Sequence, residues 1–183
     1  MNPVNKIKNT VYIGIGSNVG VKINNIEYAI ELIDSNPDCE VEIVSSIYES
    51  TPYGEVIQSN FFNAVFKIKT KLDLIVLFRF LKSIEKKAGR KETVKWGPRE
   101  IDLDILFFND LIYSDDEITI PHKDMLNRDF VLVPLSEIAP DFVHPVINKK
   151  ICEISILMQE QNQSLVSNNK TYIIRKISHK VLI

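Results

Sequence analysis

The succession of hydrophobic periodicities constrains the fold of this 183-residue chain more tightly than any other feature. Residues 11–15 form a short β-leaning run closed by Gly16-Ser17-Asn18, which predicts a strand ending in a turn, with Ser17 or Asn18 near the cap of the next helix. Ile23, Ile26, Ala29, Ile30 and Ile33 then recur at helical spacing until Asn36-Pro37 halts further winding. Residues 40–48 read as a second strand, broken by Thr51-Pro52-Tyr53-Gly54, and residues 61–69 alternate as a third. Leu74, Leu77, Phe78, Leu81 and Ile84 lie on one stripe of a helix predicted over 72–88, with Gly89 at its C-terminal cap. A fourth strand over 101–108 completes the order βαββαβ, that of a ferredoxin-like α+β domain whose antiparallel sheet carries helices on one face. Beyond it, a small hairpin within 111–120 and two short helices over 128–138 and 150–160, separated by Pro140, are expected to pack at the end.

Hydrophobic residues make up 45% of the chain and charged residues 25%, enough to bury a real core, so one domain over residues 1–160 is expected. Residues 161–183 contain no acid but carry Lys170, Arg175, Lys176 and Lys180, a basic C-terminal extension that is either a late strand or a partner-binding segment. A net charge of −2 argues against a surface built for nucleic acid or anionic lipid, so any anion site must be local. Two cysteines, Cys39 and Cys152, are too few for a disulfide framework or a four-ligand zinc site. A cytoplasmic monomer with small-molecule substrates, neither secreted nor membrane-bound, is the expectation.

The stretch from Trp96 to Ile105 carries the most chemistry. A strand's period of two puts Asp102 and Asp104 on one face, with Ile101, Leu103 and Ile105 on the other. Carboxylates so placed sit roughly 6–7 Å apart and repel one another, which a shared divalent cation would relieve. An isolated Asp-x-Asp is more often a solvated strand face. Here, however, Lys86, Lys87, Arg90, Lys91, Lys95 and Arg99 precede the pair, opposed within that segment by the single acid Glu92. Cations beside a metal-binding pair suggest a polyphosphate, because phosphoryl transfer needs developing charge to be spread.

Gly14-Ile15-Gly16-Ser17-Asn18-Val19-Gly20 has neither the dinucleotide nor the Walker spacing, so its glycines are assigned to a tight turn rather than a phosphate loop. Tyr53 and Phe130 could sandwich a flat heterocycle whose edge Asn63 reads, although each aromatic taken alone is more often a core residue. His122 after Pro121 is by itself more often a satisfied structural histidine, but Arg128 six residues on makes the two candidates for an anion or nucleotide contact.

These motifs, taken in order, resemble the 6-hydroxymethyl-7,8-dihydropterin pyrophosphokinases of folate biosynthesis. Those that carry the likeness are Ile15-Gly16-Ser17-Asn18, Thr51-Pro52-Tyr53-Gly54, Gly89-Arg90, Trp96-Gly97-Pro98-Arg99, Ile101-Asp102-Leu103-Asp104, Pro121-His122 and Asn127-Arg128-Asp129-Phe130. The resemblance implies transfer of the β,γ-diphosphate of ATP to the pterin hydroxymethyl oxygen, with release of AMP. It implies that Asp102 and Asp104 hold two Mg²⁺ ions and that Arg90 and Arg99 neutralise the transferring phosphates. By the same likeness Ser50, Pro52, Tyr53, Asn63 and Phe130 belong to the pterin site. Glu85, Arg90, Trp96, Arg99, Ile105, Thr119, His122 and Arg128 belong to the ATP site. Departures from the family pattern are Lys91-Glu92-Thr93-Val94-Lys95 in a segment usually richer in arginine, and Lys123 in place of a tyrosine. The alternative is a ferredoxin-like RNA-binding or nucleotide-sensing module, whose expected Arg/Lys-Gly-aromatic-Gly-aromatic strand is missing.

Overall fold

The computed structural model describes residues 8–52, 56–91, 97–164, 172–179 and 181. Its elements follow the chain as β1 (Asn9–Ser17), α1 (Lys22–Asp34), β2 (Cys39–Val44), β3 (Tyr48–Ser50), β4 (Phe61–Thr70), α2 (Leu74–Lys87) and β5 (Asp102–Phe108). A small hairpin, β6 (Tyr113–Ser114) and β7 (Thr119–Ile120), a 3₁₀ turn (Met125–Asn127), α3 (Asp129–Ile138), α4 (Ile151–Ser164) and β8 (Ile173–Lys176) follow. The main sheet runs β5-β1-β4-β3-β8, every pair antiparallel, and β2 pairs with β4 on the same edge as β3. The ferredoxin-like βαββαβ core is therefore present, and the basic tail supplies a late strand, with Ser50 opposite Ile173 and Tyr48 opposite Lys176.

Two expectations need correction. The strand expected over 40–48 is split, because Ser45 and Ser46 offer side chains where the ladder would continue. The Val65 N–H donates to Ser45 Oγ at 2.9 Å, and Ser46 donates through both its N–H and Oγ to the Glu137 carboxylate of α3. Helices also cover both sheet faces rather than one. Ile26, Ala29, Ile30 and Ile33 of α1 and Leu77, Leu81 and Ile84 of α2 pack on Val11, Ile13, Ile15, Phe66, Ile68, Leu103 and Ile105. On the reverse face Tyr12, Val65, Leu106 and Phe107 are buried beneath Val131, Leu132 and Leu135 of α3 and Ile151 and Ile154 of α4. Both faces of the central strands are apolar at mid-length, so a second helical layer is required to keep that area from water. Each fully buried Leu or Ile contributes roughly 1.5–3 kcal/mol. No helix among the described residues is long and apolar enough to cross a membrane.

The central strands leave a polar end uncovered by this packing. There Gly16 of β1 stands opposite Asp102 on one side and Asn63 on the other.

Candidate active site

Helix α2 ends so as to throw an arginine back over its last turn. Gly89 takes φ +88°, its N–H donates to Lys86 O at 3.1 Å, and the Arg90 N–H donates to Glu85 O at 3.0 Å. This is a Schellman stop, for which glycine is the natural residue because the left-handed conformation costs it nothing. Arg90 is thereby delivered to two carboxylates, Glu85 Oε2 at 2.5 Å and Asp102 Oδ1 at 2.8 Å. Glu85 is only 3% exposed, and its other oxygen accepts from Lys82 Nζ and from the Leu103 N–H, both at 2.8 Å. It fastens α2 to β5 from beneath.

Asp102 is gripped a second time by Arg99 Nη1 on its Oδ2. Burial alone would raise this carboxyl, but Arg99, Arg90 and Lys82 together hold it below the ordinary carboxylate range. Asp104 projects from the same strand face and is more open, its side chain 33% exposed. His122 Nε2 at 3.9 Å and Arg128 Nη1 at 4.0 Å approach its Oδ2 without reaching hydrogen-bonding distance. His122 is kept below the usual histidine range by burial, only partly offset by Asp104, and its Nδ1 accepts from the Asp124 N–H at 3.3 Å.

Two clefts meet at Asp104. The first, an open space of about 760 Å³, is walled by Ser50, Thr51, Phe61 and Asn63 on one side and by Arg128, Phe130 and Val131 on the other, with Arg99, Asp102 and Asp104 at its end. Gly14 and Gly16 form its floor, so these glycines lie within β1 and not in the turn expected of them. A Cβ on Gly16 would stand 2.9 Å from Asn63 Oδ1, and Asn63 Nδ2 in turn donates to Ser50 Oγ at 2.8 Å. The second cleft, about 700 Å³, is lined by Phe78, Lys82, Ile105, Thr119 and His122 among others.

Among the residues expected in the site, Ser50, Asn63, Arg99, Asp102, Asp104, Arg128 and Phe130 line the first cleft, and Asp104, Ile105, Thr119 and His122 line the second. Glu85, Arg90 and Pro52 lie outside both linings, Arg90 reaching the first cleft's end only through Asp102 and Glu85 acting from below through Arg90. Tyr53 and Trp96 lie outside the described residues. Asn18, expected near a helix cap, makes no cap; α1 has Val21 at that position, and Asn18 instead binds the backbone of Arg99. Lys82 was missed by sequence reasoning, although its place one turn before Glu85 on a helix is a readable i,i+3 signal. The donor set at Asp102 and Asp104 is all oxygen, and the described residues hold no group of three or more His, Cys, Asp or Glu that could bind a metal. Two carboxylates without nitrogen or sulfur fit a hard cation that takes its remaining ligands from phosphate, as Mg²⁺ does, and do not fit a closed zinc site.

Residues 12–140 match the sequence profile of the family described as 7,8-dihydro-6-hydroxymethylpterin-pyrophosphokinase. The chain belongs to this family. A 2-amino-4-hydroxy-6-hydroxymethyldihydropteridine pyrophosphokinase of Aquifex aeolicus is 44% identical over 144 residues, covering 79% of this chain and 89% of that one. The pyrophosphokinase of the same name from Bacillus subtilis is 40% identical over 132 residues, covering 72% and 79% respectively. A crystal structure of Plasmodium falciparum HPPK-DHPS with pterin and p-hydroxybenzoate superposes with a TM-score of 0.74 at 17% identity, a likeness of fold. That match covers 91% of this chain and 46% of the Plasmodium one, so the pyrophosphokinase-family chain spans less than half of that protein.

Proposed function

We propose that the protein carries out the reaction its family is named for, moving the pyrophosphoryl group of ATP onto the hydroxymethyl oxygen of 6-hydroxymethyl-7,8-dihydropterin in folate biosynthesis. One observation carries this reading. Asp104 borders both clefts, so two substrates bound side by side would meet at the carboxylate pair. The lining of the first cleft suits a flat heterocycle, with Phe130 and Phe61 offering aromatic surface and Asn63 a hydrogen-bonding edge. The second, with Lys82, Thr119 and His122, suits the nucleotide.

The pterin oxygen attacks the β-phosphorus, forming the new P–O bond as the bond from that phosphorus to the α,β-bridging oxygen breaks. AMP leaves with the bridging oxygen, and the hydroxyl proton is lost. Asp102 and Asp104 are the residues that would hold Mg²⁺, two ions by the family likeness, supplying neutralisation of the phosphate oxygens. Arg90 and Arg99 already point at Asp102 from two sides, so their guanidinium groups are in place to meet incoming phosphate. His122, held neutral with Nδ1 accepting, presents Nε2–H as a donor toward the same junction. Asn63, braced by Ser50, orients the pterin so that its hydroxymethyl arm faces Asp104.

Incubation with ATP, Mg²⁺ and the hydroxymethyl dihydropterin tests the reading by product identity. AMP and the pterin diphosphate are expected, in equal amounts. ADP would mean an ordinary kinase, and neither product would favour a binding module.

A further inference from the structure

The C-terminal strand β8 lies beyond the residues matched by the family profile, yet it is joined to both walls of the first cleft. On one wall the Thr51 N–H donates to Tyr172 O at 2.8 Å, directly after β3 pairs with β8. On the other, the Asp129 carboxylate accepts the Tyr172 N–H at 2.8 Å and the Ile173 N–H at 3.0 Å through Oδ2, and the Phe130 N–H at 2.7 Å through Oδ1. The Tyr172 ring then meets the Phe130 ring edge-on, with centroids 5.7 Å apart and planes at 90°. Asp129 is only 3% exposed, so this junction is part of the packed structure and not a surface contact.

From this we infer that Tyr172 is a positioning residue for the heterocycle site, and that β8 fixes the gap between the Ser50-Thr51 wall and the Phe130 wall. Tyr172 does not line the cleft; it acts from behind, through the ring of Phe130. An aromatic held edge-on by a neighbour has fewer orientations to lose when a flat ligand stacks on it, and a fixed gap spares the ligand the cost of closing the walls. Among the described residues of the basic extension, Tyr172 and β8 thus serve the pterin side of the reaction.

The inference rests on assigning the first cleft to the pterin, and the test separates the two. Binding of the hydroxymethyl dihydropterin and of a non-hydrolysable ATP analogue is measured by titration calorimetry on the full chain, for wild type, Tyr172→Ala and Tyr172→Phe, with thermal melts alongside. Tyr172→Ala is expected to raise the pterin Kd by roughly 3–10-fold, the worth of one edge-to-face aromatic contact. Nucleotide Kd should stay within twofold of wild type, and Tyr172→Phe, which keeps the ring, should restore pterin affinity. An unchanged pterin Kd in Tyr172→Ala, or equal loss for both ligands, overturns the inference while leaving the functional reading in place. Failure of the wild-type protein to bind the pterin at all overturns both.

Discussion

Asn18 and Arg99, 81 residues apart, hold each other by two hydrogen bonds: the Asn18 N–H donates to Arg99 O at 3.0 Å, and the Arg99 N–H donates to Asn18 Oδ1 at 2.7 Å. Asn18 Nδ2 also donates to Gln58 Oε1 at 2.9 Å and to Ser59 O at 3.0 Å. One buried side chain therefore ties the segment carrying Arg99 and the connection leading into β4 to the end of β1. The same backbone carries the Arg99 side chain that grips Asp102.

Asn18→Ala removes the side-chain bonds of that pin, keeping the backbone bond from residue 18 to Arg99 O, and touches no charged group. We expect kcat to fall by roughly 10–100-fold, since small misplacements of a phosphate-facing arginine are costly. Asn18→Asp, which keeps the acceptor for the Arg99 N–H but loses the donor, should lie between. Steady-state AMP release measures both, and equal kcat in all three proteins would remove the positioning role.

Asp102 and Asp104 should separate in stability though not in activity. Each alanine variant is expected to lose turnover by on the order of a thousandfold or more. Asp102→Ala also leaves two guanidinium groups facing one another, so its melting temperature should drop, whereas Asp104→Ala, approached by the described His122 and Arg128 no closer than 3.9 Å, should melt near wild type. Calorimetric melts alongside the assay decide the point.

Gly16→Ala places a methyl 2.9 Å from Asn63 Oδ1, and Asn63 is braced against Ser50 and cannot easily turn aside. Pterin Kd is expected to rise by about tenfold, the loss of one well-made hydrogen bond to a polar edge. The ATP-analogue Kd should not move in the same titrations.

Glu85→Ala strips a buried carboxylate of its bonds to Lys82, Arg90 and the Leu103 N–H. Arg90 keeps Asp102 and Lys82 keeps Leu103 O, but the Leu103 N–H loses its acceptor and two cations lose a buried counter-charge, which together should cost about 3 kcal/mol of unfolding free energy. Urea denaturation followed by tryptophan-independent far-UV dichroism reads this directly, and a loss below about 1 kcal/mol would show that Arg90 is held well enough by Asp102.

Stability should fall in mild acid partly through His144. This histidine is 4% exposed, its Nδ1 accepts from the Val146 N–H, its ring meets Phe107 edge-on, and burial holds it below the usual histidine range. Below an unfolded value of about 6.5 the unfolded chain takes up the proton more readily than the folded one. The contribution is thus complete above that pH and is lost as pH falls through the depressed folded value. His144→Gln should narrow the difference between unfolding free energies measured at pH 7.5 and pH 5, and His122, shifted the same way, contributes in the same direction.

How much of this was legible beforehand depends on the range of the forces involved. The period of two placed Asp102 and Asp104 on one face, and the stripe of Leu74, Leu77, Leu81 and Ile84 with Gly89 after it marked α2 and its stop. The functional family was readable from the Trp-Gly-Pro-Arg and Asp-Leu-Asp run and from the order of the other motifs. The split of the second strand was not, because Ser45 and Ser46 leave the ladder for partners in β4 and α3 that no local pattern announces.

What the sequence by itself determined, then, is everything governed by neighbours along the chain: strand alternation, helix stripes, and the turn that delivers Arg90. Only the tertiary structure decided that helices cover both sheet faces, that Gly16 stands between Asp102 and Asn63, and that Asp104 borders two clefts. Each of these depends on the register of strands far apart in sequence, where a one-residue slip would turn every side chain to the opposite face. The same is true of Tyr172, whose place behind Phe130 exists only once β8 has paired with β3.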